Sequence, residues 1–175
     1  MKKAETLKKY IRDIPDFPKK GIIFKDITTL LKDKAALKTS IDILAAEFKG
    51  RKIKHVVGIE SRGFIFGAAL AYQLGVGFIP VRKKGKLPAK TRSVTYSLEY
   101  GTDTLEIHED ALKANDRVII VDDLLATGGT VSAVAKLVGE LGAKIIGIAF
   151  VIELSFLKGR EKLHGFPVFS IIQYD

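Results

Sequence analysis

The fold of this chain is decided by the stretch Val118-Ile-Ile-Val-Asp-Asp-Leu-Leu-Ala-Thr-Gly-Gly-Thr130. Four apolar residues predict a buried strand, two carboxylates follow it, and a small, glycine-rich turn opens a helix that we expect over Thr130–Leu141. Strands as apolar as this one belong to parallel sheets covered by helices on both faces. Ligands of such sheets bind at the carboxyl ends of the strands. The stretch therefore predicts an α/β fold with a binding site where this strand ends.

The rest of the chain repeats this alternation of apolar strands and helices. Strands are predicted at His55–Ile59, Gly77–Val81, Arg117–Val121, Lys144–Ile152 and Phe166–Ile172. Apolar residues at helical spacing predict further helices at Lys3–Ile14, Ala35–Phe48 and Gly63–Leu74. The whole pattern predicts a parallel sheet core with flanking helices.

Two segments interrupt the alternation. The first is Asp16-Phe17-Pro18, which we interpret as an extended linker that follows the first helix. The second is Lys83–Thr104, which is rich in Lys and Arg and has no helical period over most of its length. It predicts a mobile basic loop followed by a polar β-ribbon of Val94–Tyr100 and Thr104–His108. Long irregular segments of this kind usually form lids or binding loops.

The composition limits the classes of protein to which the chain can belong. Its 29 Lys and Arg against 20 Asp and Glu give a net charge of +9, which attracts nucleic acid, acidic lipid or a phosphorylated small molecule, or simply solvates the surface. The absence of cysteine excludes disulfides and thiolate sites, and the three histidines are too scattered for a metal site. Apolar runs such as Ile145–Ile152 are too short to cross a bilayer, and Met1–Leu7 lacks the apolar core of a secretory signal. We therefore expect a soluble, cytoplasmic, single-domain protein of 175 residues that does not bind membranes.

The turn Ala126-Thr127-Gly128-Gly129-Thr130 has the composition of a phosphate-binding site. Its two glycines permit close backbone approach, its threonines add hydroxyl donors, and the following helix directs N–H groups and a positive dipole end toward an anion. Asp122 and Asp123 would repel an isolated phosphate, but they would accept hydrogen bonds from the 2′- and 3′-hydroxyls of a ribose that carries a 5′-phosphate. The alternative is an acid pair that only caps an ordinary turn.

The run from Asp122 to Thr130 resembles the signature of type I phosphoribosyltransferases, which bind 5-phosphoribosyl-1-pyrophosphate (PRPP). Four other blocks are similar, in order and spacing, to the adenine-specific members of that family: Asp16–Pro18 with Gly21–Ile27, Glu60–Phe64, Arg82–Pro88 and Tyr96–Gly101. The resemblance implies one phosphoribosyltransferase domain over residues 1–175, with an N-terminal, base-reading hood at 1–34 and a lid and β-ribbon at 83–108. It also implies the transfer of the phosphoribosyl group from PRPP to N9 of adenine, which gives AMP and pyrophosphate.

The resemblance also assigns residues to the pyrophosphate and to catalysis. The loop Glu60-Ser61-Arg62-Gly63, with a non-proline cis peptide bond in related enzymes, would grip the pyrophosphate, and Arg62 would contribute to catalysis. The other residues implied for the pyrophosphate are Arg82, Lys83, Lys86 and Tyr100. Glu99 would approach N7 of adenine and mediate proton transfer. Three simpler interpretations stay open: a solvent-exposed Arg62, a solvated Glu99, and a basic cluster that contacts RNA, although no RNA-binding aromatic motif lies beside it.

Base recognition would fall to Ile23, Phe24 and Lys25, whose backbone reads the adenine edge in the enzymes that the chain resembles. Lys25 stands where many members carry Arg, and Ile22 and Ile23 fit a core position equally well. Mg²⁺ would be held mainly by the substrate, with Asp122 as the nearest protein ligand. The resemblance further implies a homodimer in which Arg82 reaches the neighbouring site.

Two other functions compete with this prediction. A 6-oxopurine transferase would have the same fold and a different base-reading segment. The segment Gly21–Ile27 favours adenine over that alternative. A DNA-binding sensor of PRPP would need an added module, for which a chain filled by the core has no room. We therefore expect no nucleic-acid partner.

Overall fold

The computed structural model describes residues 2–97 and 101–175 and contains two β-sheets across these ranges. The smaller sheet is an antiparallel hairpin of β1 (Arg12–Pro15) and β2 (Ile23–Asp26). The larger sheet has the strands β3 (His55–Ile59), β4 (Gly77–Lys83), β5 (Thr91–Ser97), β6 (Thr102–His108), β7 (Arg117–Leu125), β8 (Lys144–Leu154) and β9 (Val168–Tyr174). Its spatial order is β5-β6-β4-β3-β7-β8-β9. Strands β4, β3, β7, β8 and β9 are parallel, and the β5–β6 ribbon pairs antiparallel with the edge of β4.

Helices cover both faces of the larger sheet. They are α1 (Lys2–Leu7), α2 (Thr28–Lys32), α3 (Lys34–Phe48), α4 (Arg62–Leu74) and α5 (Gly129–Glu140). Short 3₁₀ turns lie at Lys8–Tyr10, Ser155–Leu157 and Gly159–Leu163. Leu44 and Phe66 belong to the core on the face of α3 and α4, whereas Leu137 and Phe150 belong to the core on the face of α5. The predicted α/β fold with a parallel sheet core and flanking helices is therefore confirmed.

Strand β7 is longer than the sequence predicts. The predicted strand ended at Val121, but pairing with β8 continues through Asp122, opposite Phe150, to Leu125. The acid pair therefore lies within the final residues of the strand, close to the turn, and does not follow the strand. Since the neighbouring strand β8 holds the backbone there, the positions of both carboxylates are fixed by the sheet.

The N-terminal helix predicted over Lys3–Ile14 is wrong beyond its first half. The α-helix ends at Leu7, and Ile14 lies in β1, where it pairs with Phe24 of β2. The segment Asp16-Phe17-Pro18 is consequently the start of a hairpin connection and not an extended linker. Asp16 closes that connection, because its Oδ1 accepts a hydrogen bond from the N–H of Gly21 at 2.7 Å.

The segment after β4 is more regular than predicted. The ribbon begins at Thr91, and β6 joins the main sheet through the pairs Arg82–Glu106 and Lys83–Leu105. Its other strand packs against α5, where the Thr130 hydroxyl lies 3.3 Å from that of Tyr96. The ribbon is therefore an extension of the sheet beside the predicted phosphate turn.

We predict that Asp26 stabilises the hairpin in a pH-dependent way. Its carboxylate accepts a hydrogen bond from the N–H of Thr28 at 2.9 Å and one from Arg12 Nη2 at 2.5 Å, and these contacts lower its pKa to about 2. A lowered pKa gives stability that is present above the ordinary value and is lost as the pH falls toward about 2. Asp26→Asn should lower the free energy of unfolding at neutral pH by about 1–2 kcal/mol, because it weakens hydrogen bonds that depend on the ionised carboxylate.

Urea denaturation from about pH 7 to about pH 3 tests this, with Asp42→Asn as the control. Asp42 is a half-exposed partner of Lys38 on α3, so its loss should have little effect. A deficit of Asp26→Asn that stays constant down to the lowest pH would contradict the prediction.

Candidate active site

A cavity of about 520 Å³ opens at the carboxyl ends of β3, β4 and β7. Its lining residues are Glu60, Ser61, Arg62, Lys83, Tyr96, Asp103, Leu105, Asp122, Asp123, Leu124 and Thr130. A smaller cavity of about 80 Å³ adjoins it over the turn that leads into α5. Three parallel strands end here, so residues from distant parts of the chain meet at one edge of the sheet, as expected for ligand sites in this fold class.

The turn between β7 and α5 has the geometry of an anion site. Gly128 caps α5 with a positive φ of 77°, which favours glycine. A Cβ at Gly128 would also lie 2.4 Å from the carbonyl oxygen of Gly159, so space excludes a side chain as well. The first N–H groups of α5, from Gly129 onward, have no acceptor within the helix. The predicted phosphate-binding residues Ala126, Thr127, Gly128, Gly129 and Thr130 thus line one small cavity at a helix N-terminus.

In the acid pair beside this turn, Asp123 is buried and Asp122 is partly buried. Asp123 is 4% exposed, and its N–H donates to Asp122 Oδ1 at 2.9 Å. Burial, and then the charge of Asp123, raises the pKa of Asp122 well above its usual value; burial also raises the pKa of Asp123, against the effect of Arg62. Asp123 Oδ2 accepts no hydrogen bond from any residue that the structure describes. The site therefore holds a buried acceptor without an aligned hydrogen bond, next to a second carboxylate.

Arg62 contacts both the acid pair and Phe24 of the predicted base-reading strand. Its Nε lies 2.8 Å from Asp123 Oδ2 in an ion pair without hydrogen-bond alignment. Its guanidinium also lies 5.2 Å from the centre of the Phe24 ring. Arg62 therefore lines the site and is not a purely solvent-exposed residue at the start of a helix. The peptide bond between Glu60 and Ser61 is cis, as the resemblance implied.

Glu60 forms hydrogen bonds with the basic residues at the end of β4. Its carboxylate accepts hydrogen bonds from the Lys83 N–H at 2.9 Å and from Arg82 Nε at 3.3 Å. Burial would raise the pKa of Glu60, but these hydrogen bonds hold it below its usual value. Arg82 also donates to the carbonyl of Lys86 at 3.0 Å, whereas the Lys86 side chain is exposed. Glu60 thus contacts the end of β4 in this structure, in addition to lining the cavity.

Four lining residues were not predicted as site residues: Tyr96, Asp103, Leu105 and Leu124. Asp103 Oδ2 lies 3.1 Å from Lys83 Nζ, and this contact raises the pKa of the lysine. Burial raises the pKa of Tyr96, whose hydroxyl contacts Thr130. Alternation along the ribbon places Val94 and Tyr96 on one face, and this was the available sequence signal. The predicted Glu99 and Tyr100 lie outside the described residues.

The predicted base-reading strand lies next to this cavity. Ile22 and Ile23 are 41% and 55% exposed, which excludes the core interpretation within this chain. Phe24 packs edge-to-face against Phe17, with 5.2 Å between ring centres. Lys25 Nζ lies 2.7 Å from Asp13 and 4.0 Å from the centre of the Tyr174 ring. The Lys25 side chain is thus engaged by β1 and β9, and a forked contact of the arginine type is not made.

No three His, Asp or Glu side chains in the ranges 2–97 and 101–175 cluster as metal ligands. In the same ranges, no helix is long and apolar enough to cross a membrane.

Comparison with known proteins places this geometry in a family. The sequence profile of the phosphoribosyl transferase domain matches residues 26–172. The adenine phosphoribosyltransferase of Syntrophotalea carbinolica is 62% identical over 170 residues, which cover 97% of this chain and 99% of the relative. A crystal structure of adenine phosphoribosyltransferase from Thermoanaerobacter pseudethanolicus superposes with a TM-score of 0.95 at 59% identity, covering 98% of this chain and 99% of that one.

A third relative is known with a base bound. The Saccharomyces cerevisiae adenine phosphoribosyltransferase, crystallised with adenine and an imino-altritol bisphosphate, superposes with a TM-score of 0.92 at 45% identity. That match covers 97% of this chain and 98% of the yeast chain. On the evidence of its profile match, its site and these relatives, the chain belongs to the phosphoribosyltransferase family, among the adenine phosphoribosyltransferases.

Proposed function

We propose that this chain transfers the 5-phosphoribosyl group of PRPP to N9 of adenine, with release of pyrophosphate and formation of AMP for purine salvage. The observation that carries the proposal is the buried Asp123 Oδ2 beside the phosphate turn, which has an ion-pair partner in Arg62 but accepts no aligned hydrogen bond from the described residues. A ribose hydroxyl supplies the donor that this oxygen lacks, and the 5′-phosphate of the same ribose reaches the turn. The adenine-bound yeast relative supports the choice of base.

The ribose phosphate is held from two sides in this proposal. The backbone and hydroxyl donors of Ala126–Thr130 bind the 5′-phosphate at the N-terminus of α5. Asp122 and Asp123 accept the 2′- and 3′-hydroxyls, so the ribose is fixed in position while its C1′ faces the cavity. Arg62 belongs to the predicted pyrophosphate loop and contacts Asp123, so it links the proposed pyrophosphate and ribose positions.

The reaction forms the bond between N9 and C1′ and breaks the bond between C1′ and the pyrophosphate oxygen. Adenine attacks through N9 in the form that carries its proton on N7, and Glu99, which the resemblance assigns to N7, accepts that proton. Negative charge grows on the departing pyrophosphate, where it is stabilised by the N–H groups of Glu60–Gly63 and by the cations of Arg82, Lys83 and Lys86. Tyr100 covers the pyrophosphate and helps to exclude water from C1′. Adenine stacks on Phe24 and Ile23 while the backbone at Lys25 reads its edge.

Mg²⁺ fits the chemistry of this donor set. The acid pair has raised pKa values because two carboxylates are buried together, and a divalent cation nearby would favour their ionised forms. Asp122 is the protein residue that would approach the ion, which substrate hydroxyls, pyrophosphate oxygens and water otherwise hold. The ion would neutralise charge on the pyrophosphate as it leaves.

We also propose a cytoplasmic homodimer in which residues 1–175 form one domain. The outward face of α4 exposes Ile65 by 42% and Tyr72 by 89%, and an apolar stripe of this kind fits a second copy of the chain. Arg82 binds Glu60 within its own chain, so its reach into a partner's site stays a prediction.

A pyrophosphate-release assay tests the reaction and the base together. With PRPP and Mg²⁺, we expect turnover with adenine and none with hypoxanthine, guanine or xanthine, because Gly21–Ile27 resembles the adenine-reading segment. Turnover with a 6-oxopurine would overturn the base assignment and keep the ribose-phosphate site. No turnover with any base, despite binding of PRPP, would overturn the proposed activity.

Asp122→Asn should weaken binding and strengthen the fold. The raised pKa of Asp122 means that its charge destabilises the folded state as the pH rises above the ordinary value. The variant should therefore be about 0.5–2 kcal/mol more stable at neutral pH, a gain that shrinks near pH ~4. Its kcat/KM for PRPP should fall about tenfold or more, since a buried acceptor for the ribose is lost.

Denaturant unfolding and steady-state kinetics measure both effects, with Asp42→Asn on the outer face of α3 as the control. A variant that is less stable than the wild type at neutral pH, or that keeps its full kcat/KM, would contradict the account of this carboxylate.

A further inference from the structure

The phosphate turn is backed by a second loop that the proposed mechanism does not use. Gly159 is buried, and a Cβ added to it would lie 2.1 Å from the carbonyl oxygen of Ala126. A Cβ on Gly128 would in turn lie 2.4 Å from the carbonyl oxygen of Gly159. The two backbones are thus in direct contact on the side of the turn formed by the 3₁₀ segment Gly159–Leu163. The position of the turn therefore depends on the position of Gly159.

Arg160 holds this loop to the sheet. Its Nε donates to Glu153 Oε1 at 2.9 Å and its Nη2 donates to Glu153 Oε2, which makes a two-pronged contact with β8. Its Nη1 donates to the carbonyl of Val168 on β9 at 2.8 Å. Gln173, also on β9, donates to Glu153 Oε2 at 3.3 Å. One guanidinium therefore connects the loop to the two strands beneath it.

The surroundings of Arg160 and Glu153 keep both side chains ionised and in position. The Glu153 side chain is 6% exposed, and burial would raise its pKa, but the hydrogen bonds of Arg160 and Ser170 keep that pKa below its usual value. Glu153 raises the pKa of Arg160 in return. Glu153 also lies opposite Leu125, the last residue of β7 before the phosphate turn. The anchor of the loop and the start of the turn are thus neighbours in one sheet.

We infer that Arg160 and Glu153 are positioning residues that set the geometry of the phosphate turn through Gly159, and thereby the affinity for the 5′-phosphate of the substrate. The inference rests on the proposed function, since it concerns the same ribose-phosphate site. An ion pair that served stability alone would affect every ligand equally. A positioning pair behind the turn affects ligands that carry the 5′-phosphate and leaves pyrophosphate binding at Glu60–Gly63 unchanged.

The test compares two probes on three variants by calorimetric titration in the presence of Mg²⁺. The probes are ribose 5-phosphate and pyrophosphate, and the variants are Arg160→Gln, Arg160→Lys and the control Arg51→Gln. Arg51 forms a comparable ion pair with Glu47 on α3, away from the cavity. We expect Arg160→Gln to weaken ribose 5-phosphate binding about tenfold or more and to change pyrophosphate binding less than about twofold.

Steady-state kinetics supply a second readout. Arg160→Gln should raise the KM for PRPP more than it lowers kcat, because the chemistry at C1′ is not touched. Arg160→Lys keeps the charge but loses the fork, so it should give an intermediate loss. The Arg51 control should match the wild type in both assays.

Equal weakening of both probes by Arg160→Gln, or no weakening of either, would overturn the inference. If Arg160→Gln fails to fold, the same comparison is made with Arg160→Lys. An affinity of Arg160→Lys for ribose 5-phosphate equal to that of the wild type would then overturn the inference. A wild-type protein that binds no ribose 5-phosphate would instead overturn the proposed function, and this inference with it.

Discussion

Two adjacent carboxylates at the end of the central strand, the buried Asp123 and the partly buried Asp122, are the constraint on which the rest of this site depends. Burying one charge is unfavourable, and burying two in adjacent residues is more so, as the raised pKa values of Asp122 and Asp123 express. The arrangement is sustained by the sheet, since β8 pairs with β7 past both residues, and by the guanidinium of Arg62. One oxygen of Asp123 forms an ion pair with Arg62 but accepts no aligned hydrogen bond from the described residues, and in the proposed function a ligand hydroxyl supplies that bond.

Contacts from the surrounding structure hold that edge of the sheet in position. Arg62 lies between the acid pair and Phe24, so the proposed base-reading hairpin and the proposed ribose site share one side chain. Glu60 orders the end of β4 through Arg82 and the backbone of Lys83. On the opposite side, close backbone packing of Gly128 and Gly159 fixes the proposed phosphate turn. Each of these contacts fixes a stretch of backbone or a charged side chain before a ligand binds. Electrostatic catalysis requires preorganisation of this kind.

Sequence patterns predicted what depends on local chemistry. The run from Val118 to Thr130 specified a buried strand, an acid pair and a glycine turn, and each is present. Its local pattern placed the strand end at Val121, because the carboxylates look like loop residues until the pairing with β8 is known. The hairpin was missed for the same reason: helical spacing suggested that Ile14 ends a helix, whereas its pairing with Phe24 is not visible in the spacing.

Contacts between distant residues were the least predictable features. The approach of Phe24, Arg62 and Asp123 joins three segments that are far apart in the chain, and spacing alone cannot give it. Tyr96 and Asp103 belong to the cavity only because the ribbon pairs with β4. The family resemblance supplied roles for Glu99 and Tyr100, which lie outside the described residues and stay predictions.

A crystal structure of the protein with AMP tests the central claim most directly. The account predicts the phosphate on the N–H groups of the turn before α5, the ribose hydroxyls on Asp122 and Asp123, and the adenine beside Phe24. A phosphate bound instead at the Glu60–Gly63 loop, with the turn empty and Asp123 Oδ2 still without a donor, would contradict it.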